Sequence, residues 1–194
     1  MIYKETISKE ELDELPFYSF EGDIVIVDTK DKVRDAEKYL KQFTFLGFDT
    51  ETRPSFKKGH INQVALLQLS TGERAFLFRL DRQELHRKIV SILADPGILK
   101  AGIAIRDDIK ALQTKKKFVP AGFIELQDEA KNRGINCFSL KKLSGVVLGL
   151  RISKAQQLSN WEANELTEAQ LRYAATDAWV SYKIFEHFNN GHNE

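Results

Sequence analysis

The stretch Phe45–Thr52, FLGFDTET, constrains this chain more than any other. It opens as an apolar run of strand type and closes on two carboxylates, Asp49 and Glu51, separated by one threonine. Side chains alternate across an extended strand, so Asp49 and Glu51 share one face while Phe48 and Thr50 take the other. Two like charges held side by side on a buried strand repel and resist leaving water, and a bound cation offsets both costs most directly. Alone, the D-x-E pattern also fits a solvated strand end, so its meaning depends on what the rest of the chain brings to it.

A chain of 194 residues with 42% hydrophobic and 29% charged residues is of the size and composition of one soluble globular domain. The formal net charge of +1 makes no global case for a polyanionic partner, so any nucleic-acid contact has to come from local patches. The single cysteine, Cys137, has no internal disulfide partner and reads as a small buried residue in a reducing compartment. The charged start lacks the apolar core of a signal peptide, and no apolar run approaches the roughly 20 residues of a membrane span. The expectation is an intracellular protein, cytoplasmic, or nuclear in a eukaryote.

Residues 1–22 read as an arm carrying a short helix over 8–15, with Ser8 and Glu11 spaced as a capping box. Residues 23–190 read as the functional domain. DIVIV at 23–27 is a strand, and an amphipathic helix over 30–42 leads into the D-x-E strand. RPSFKKGH at 53–60 is a loop; VALLQLS, the turn Thr71-Gly72-Glu73 and RAFLFRL complete a meander of three antiparallel strands. A helix over 84–93 closes at Asp95-Pro96-Gly97, and KAGIAI at 100–105 is a short buried strand. Asp107 and Asp108 follow at the start of the next helix, where carboxylates also suit the helix dipole. Residues 123–130 form a strand or strand-to-helix junction; 139–148 and 167–188 are helices, the last capped by Thr167. The order predicts an α/β domain: a mixed central sheet, antiparallel meander plus parallel strands, flanked by helices.

The last helix carries Tyr173 and Asp177, four apart and therefore on one face, with the small Ala174 and Ala175 between them. A mid-helix Asp among core residues calls for a metal or a charged partner, the alternative from this segment alone being an exposed Asp on the helix's outer face. FDTET, GIAIRDDIKAL and YAATDA, in that order, resemble the three motifs of the DEDD superfamily of 3′-5′ exonucleases, in its tyrosine-bearing DEDDy branch. The flanks RPSFKKG, VALLQLST, LKKLSGVVLG and QLSNWEANELTEAQLRYAATDA are similar to the Werner-syndrome-type exonuclease domain and, more distantly, to ribonuclease D.

The resemblance implies a ribonuclease H-like fold and a two-metal hydrolysis of phosphodiester bonds from a 3′ end. Asp49, Glu51, Asp108 and Asp177 would hold two divalent cations, Mg²⁺ or Mn²⁺, and Tyr173 would orient the attacking water. Asp108 aligns through the leucine four residues later, while its neighbour Asp107 leaves the second motif with two acidic choices. The implied partner is a nucleic acid with a free 3′ end, DNA first and RNA as the alternative; a separate helicase is a candidate partner that the sequence does not decide. Thr50, Thr52, Lys58, Lys154 and Trp161 are candidate substrate contacts; Trp161 either stacks on a base or packs beneath the last helix. Lys57, Lys115 to Lys117 and Lys141-Lys142 are basic clusters that meet phosphates or solvent, and His60, His86, His187 and His192 are scattered, with His60 a further candidate contact. Outside this class stand a non-catalytic nucleic-acid-binding module and a phosphoesterase of small nucleotides.

Overall fold

The computed structural model describes residues 2–55 and 62–190. A six-stranded mixed sheet runs through its centre in the order β1-β4-β3-β2-β5-β6. The strands are β1 (Asp23–Val27), β2 (Phe45–Thr52), β3 (Val64–Ser70), β4 (Arg74–Arg79), β5 (Leu99–Gly102) and β6 (Phe123–Glu125). β2, β3 and β4 form the expected antiparallel meander, while β1 joins β4, β5 joins β2 and β6 joins β5, all in parallel.

Alternation along β2 sorts the two layers. Leu46 and Phe48 enter one apolar cluster with Leu67, Leu69, Phe76 and Phe78 from the meander. Helices α2 (Lys30–Leu40), α3 (Arg87–Leu93) and α4 (Ile105–Lys115) cover that side through Val33, Ile89 and Leu112. Gly47, Asp49 and Glu51 face the other way, toward α7 (Glu168–Asn190), whose Ala175, Val180 and Ile184 belong to the second cluster. Gly47 makes this contact possible: a Cβ there would lie 1.8 Å from the Ala178 carbonyl oxygen. With no side chain at Gly47, the helix rests on the strand backbone itself.

Both helix starts expected from capping residues form. Ser8 and Glu11 exchange bonds at α1 (Lys9–Glu14), and at α7 the Gln170 N–H donates to Thr167 Oγ1 while the Thr167 N–H donates to Gln170 Oε1. Three boundaries move. β5 ends at Gly102, and Ala104 takes a left-handed φ of 56° that turns the chain directly into α4. The Glu125 carboxylate accepts from the Ala104 and Ile105 N–H groups, so the cap comes from β6 rather than from the local sequence. The helix expected over 84–93 begins only at Arg87, with His86 as its cap. The helix expected over 139–148 is α6 (Leu140–Leu143) followed by a π turn over Ser144–Leu148, where Gly145 lies against Leu12 and Ile7. Residues 123–130 are a junction, β6 running into α5 (Leu126–Asn132). The segment before β1 packs onto this body through particular residues: Phe20 is buried in the second cluster and Phe17 bridges Arg151. No helix among the described residues is long and apolar enough to cross a membrane.

Lys100 on β5 is fully buried, and its ammonium donates to the carbonyls of Ile92, Asp95 and Ile98 at 3.0, 2.8 and 2.6 Å. Burial pushes its pKa down to about 8, against the opposing pull of Asp95. The ammonium ties the end of α3 to the sheet. Lys100→Met keeps the stem but takes the ammonium from three carbonyls, leaving those of Ile92 and Asp95 with backbone N–H donors only, so it should cost about 1–3 kcal/mol of stability in urea unfolding; an unchanged midpoint would contradict this role.

Candidate active site

Asp49 and Glu51 leave β2 toward α7, and Asp177 leaves α7 toward β2. One carboxylate oxygen of each lies within 4.8 Å of the others. Among the described residues this is the one group of three or more His, Cys, Asp or Glu side chains close enough to share an ion. The small, fully buried Ala174, Ala175 and Ala178 let the helix approach, so Glu51 is only 9% exposed and Asp177 only 7%.

Crowding and burial set the charge state. Burial, then the repulsion of Asp177 and Asp108, pushes Asp49 well above the ordinary carboxylate range. Burial, then Asp49, Asp177 and Asp108, pushes Glu51 up to about 10. Asp177 rises to about 7 through burial, held lower than burial alone would place it by the Tyr173 hydroxyl one turn earlier and by the Lys154 cation. Tyr173 in turn is raised above the usual phenol range, by burial first and then by Asp177 and Glu51. The phenol therefore keeps its proton at any physiological pH.

Asp108 stands apart from the three. It is half-buried in the first turn of α4, and Thr50, which faces the opposite side of β2 from Asp49, donates its hydroxyl hydrogen bond to Asp108 Oδ1. Its charge still reaches the others, since it raises both Asp49 and Glu51. Asp107 points to solvent, with a side chain 91% exposed and paired to Lys110 at 2.9 Å. Of the two acidic neighbours, Asp108 is therefore the one turned toward β2.

The remaining candidates separate clearly. Lys154 is exposed on the rim of a cleft of about 190 Å³ that is lined by Asp49, Lys141, Gln157, Tyr173 and Asp177 among others. Thr50 is engaged by Asp108, and Thr52 is half-buried at the end of β2, beyond a register shift against β3. Trp161 is corrected: it is 0% exposed, packed with Tyr173, Ala174, Leu66 and Leu77, so its ring offers no face to a base. The segment before α7 had to fill the space under that helix, and an indole fills it. Lys115 is also turned elsewhere, donating to the Leu80 carbonyl at 3.0 Å. Lys57, Lys58, His60 and His192 lie outside the described residues. Cys137 is buried, as its apolar neighbours imply.

The sequence reading missed Ile103, Gln157 and Ser181, which line the same cleft. Ser181 alone had a signal, standing one helical turn after Asp177; its hydroxyl donates to the Asp177 carbonyl at 3.0 Å.

A family model described as 3′-5′ exonuclease matches residues 24–192. The bifunctional 3′-5′ exonuclease/ATP-dependent helicase WRN of Mus musculus is 32% identical over 189 residues, which cover 92% of this chain but 13% of that one. This chain thus spans a small part of that curated relative's length. Among solved structures, the Aedes aegypti Nibbler EXO domain has the same fold, with a TM-score of 0.80 at 23% identity over 91% of this chain and 94% of that one. Escherichia coli RNase D, an exoribonuclease involved in structured RNA processing, superposes with a TM-score of 0.77 at 23% identity, over 88% of this chain and 46% of its own. The family match runs from β1 to the end of α7 and takes in every carboxylate of the centre, and on it the chain belongs to the 3′-5′ exonuclease family, of DEDD type.

Proposed function

We propose that this chain removes nucleotides one at a time from the 3′ end of a nucleic acid, DNA in the first place and RNA as the alternative, releasing nucleoside monophosphates. The observation that carries the reading is the convergence of Asp49, Glu51 and Asp177 beside Tyr173 in a chain of this family. The donor set suits divalent cations: it is all oxygen, crowded and desolvated, and it lacks the His and Cys ligands that favour zinc. Asp49, Glu51 and Asp177 would hold one cation, and Asp49 and Asp108 a second; each would be Mg²⁺ or Mn²⁺. Such ions, when bound, stabilise the negative charge that develops on the phosphodiester oxygens and lower the pKa of water.

The chain's own groups supply orientation. Tyr173, kept protonated by its surroundings, is a poor base and a good hydrogen-bonding guide for the attacking water beside Glu51. Lys154 and Lys141, which line the cleft, would meet phosphates, and contacts to the phosphate backbone carry no sequence information. Cleavage should therefore follow the free 3′ end rather than the sequence. A helicase that supplies single strands fits the same reading, since the mouse relative joins both activities in its name.

The direct test is a gel time course with 3′- and 5′-labelled DNA and RNA oligonucleotides, with Mg²⁺, Mn²⁺ or chelator. A metal-dependent ladder shortening from the 3′ end, lost in Asp49→Ala, is expected; binding without cleavage would favour a non-catalytic module. Tyr173→Phe should lower turnover roughly 100-fold while Mn²⁺ affinity by calorimetry stays within about twofold; equal losses of both would contradict the positioning role.

The raised carboxylates also link stability to pH. A carboxylate whose pKa is higher in the folded than in the unfolded chain binds a proton on folding. Its favourable contribution is complete below the unfolded value of about 4 and is lost as pH rises through the folded values, about 7 for Asp177 and about 10 for Glu51. Chelator-treated protein should therefore melt lower at pH 9 than at pH 6, and Mg²⁺ should raise the melting temperature more at the higher pH. A cation-induced gain independent of pH would overturn that linkage.

A further inference from the structure

Gln68 lies on β3 directly opposite Asp49 of β2, in the antiparallel register that also pairs Glu51 with Leu66. Residues directly opposite in such a pair share a face, so the Gln68 carboxamide lies on the α7 side of the sheet, next to the carboxylate that the proposed mechanism uses most. It is 0% exposed. Neither its Nε2 nor its Oε1 has a hydrogen-bond partner.

Burying a primary amide with no partner costs about 1–3 kcal/mol, and buried polar side chains are nearly always satisfied. Among the described residues the only other such atom is Trp161 Nε1, in the cluster formed with Leu66 and Leu77, the residues flanking Gln68 along and across the sheet. Both unpartnered side chains are thus confined to the layer beneath the carboxylate centre. A leucine or methionine would fill the place of Gln68 at no such cost, as Leu66, Leu67 and Leu69 do on either side. Asp49 has one oxygen engaged, accepting from the Thr50 N–H at 2.9 Å, which leaves its other oxygen for the centre and for a neighbouring donor.

We propose that Gln68 is a positioning residue for Asp49, its Nε2 donating a hydrogen bond to the Asp49 carboxylate when that carboxylate ligates a cation. The inference rests on the metal-dependent reading above. Ligating carboxylates are commonly held by such outer hydrogen bonds, which fix the orientation of the oxygens that face the ion. The amide is neutral, so it orients Asp49 without adding a charge to the three carboxylates already gathered there.

Stability and metal affinity should therefore move in opposite directions when the amide is removed. The test is calorimetric Mn²⁺ titration and urea unfolding of the whole chain, wild type beside Gln68→Met, with Gln68→Leu as the second apolar variant should the first fail to fold. The expected result is a higher unfolding midpoint in chelator together with about 10- to 100-fold weaker Mn²⁺ binding. Unchanged Mn²⁺ affinity in a folded variant would overturn the role of Gln68 while leaving the metal-dependent reading intact. A wild type that binds no Mn²⁺ would overturn both.

Discussion

The repulsion among Asp49, Glu51 and Asp177 is the interaction around which the rest of this structure makes sense. Three carboxylates with oxygens within 4.8 Å of one another, two of them less than a tenth exposed, are held together against their charge by the packing of α7 on β2. Gly47 and the alanines 174, 175 and 178 set that packing distance. The two apolar clusters on either side of the sheet supply the stability that this concentration of charge consumes. Sites of this kind are kept at a cost because the chemistry needs them.

The same logic extends outward in shells. Thr50 holds Asp108 from the far side of β2, and Glu125 reaches from β6 to cap the turn at which Ala104 enters α4. Tyr173 and Asp177 adjust one another along α7. Gln68 completes the set from β3. Each of these groups acts on a carboxylate or on the backbone that carries one, so the centre belongs to the sheet as a whole rather than to one loop.

Much of this was legible before any coordinates. Period-two alternation in FLGFDTET put Asp49 and Glu51 on one face, and the four-residue spacing of Tyr173 and Asp177 put them on one side of a helix; both faces prove to be the same interface. The capping box at Ser8 and the cap at Thr167 were local signals and formed locally. What escaped depended on distant contacts. The start of α4 is capped by a residue about twenty positions later in the chain, and the break of the helix over 139–148 into a π turn answers to the packing of α1 against Gly145. Trp161 carried two readings, surface stacking or core, which only the three-dimensional fill could separate, and it is core. Gln68 looked like an ordinary strand residue, because nothing in VALLQLS says which side chain lies opposite Asp49.

On the proposed reading the three carboxylates are gathered for a cation and not for the stability of the fold. Urea unfolding of Asp177→Asn beside wild type at pH 9, in chelator and in Mn²⁺, decides between the two, because above about 7 the Asp177 carboxylate is charged and the substitution removes that charge while keeping the shape. The variant should be more stable than wild type in chelator and gain much less from Mn²⁺. A variant less stable than wild type in chelator, or one that gains as much from Mn²⁺, would contradict it.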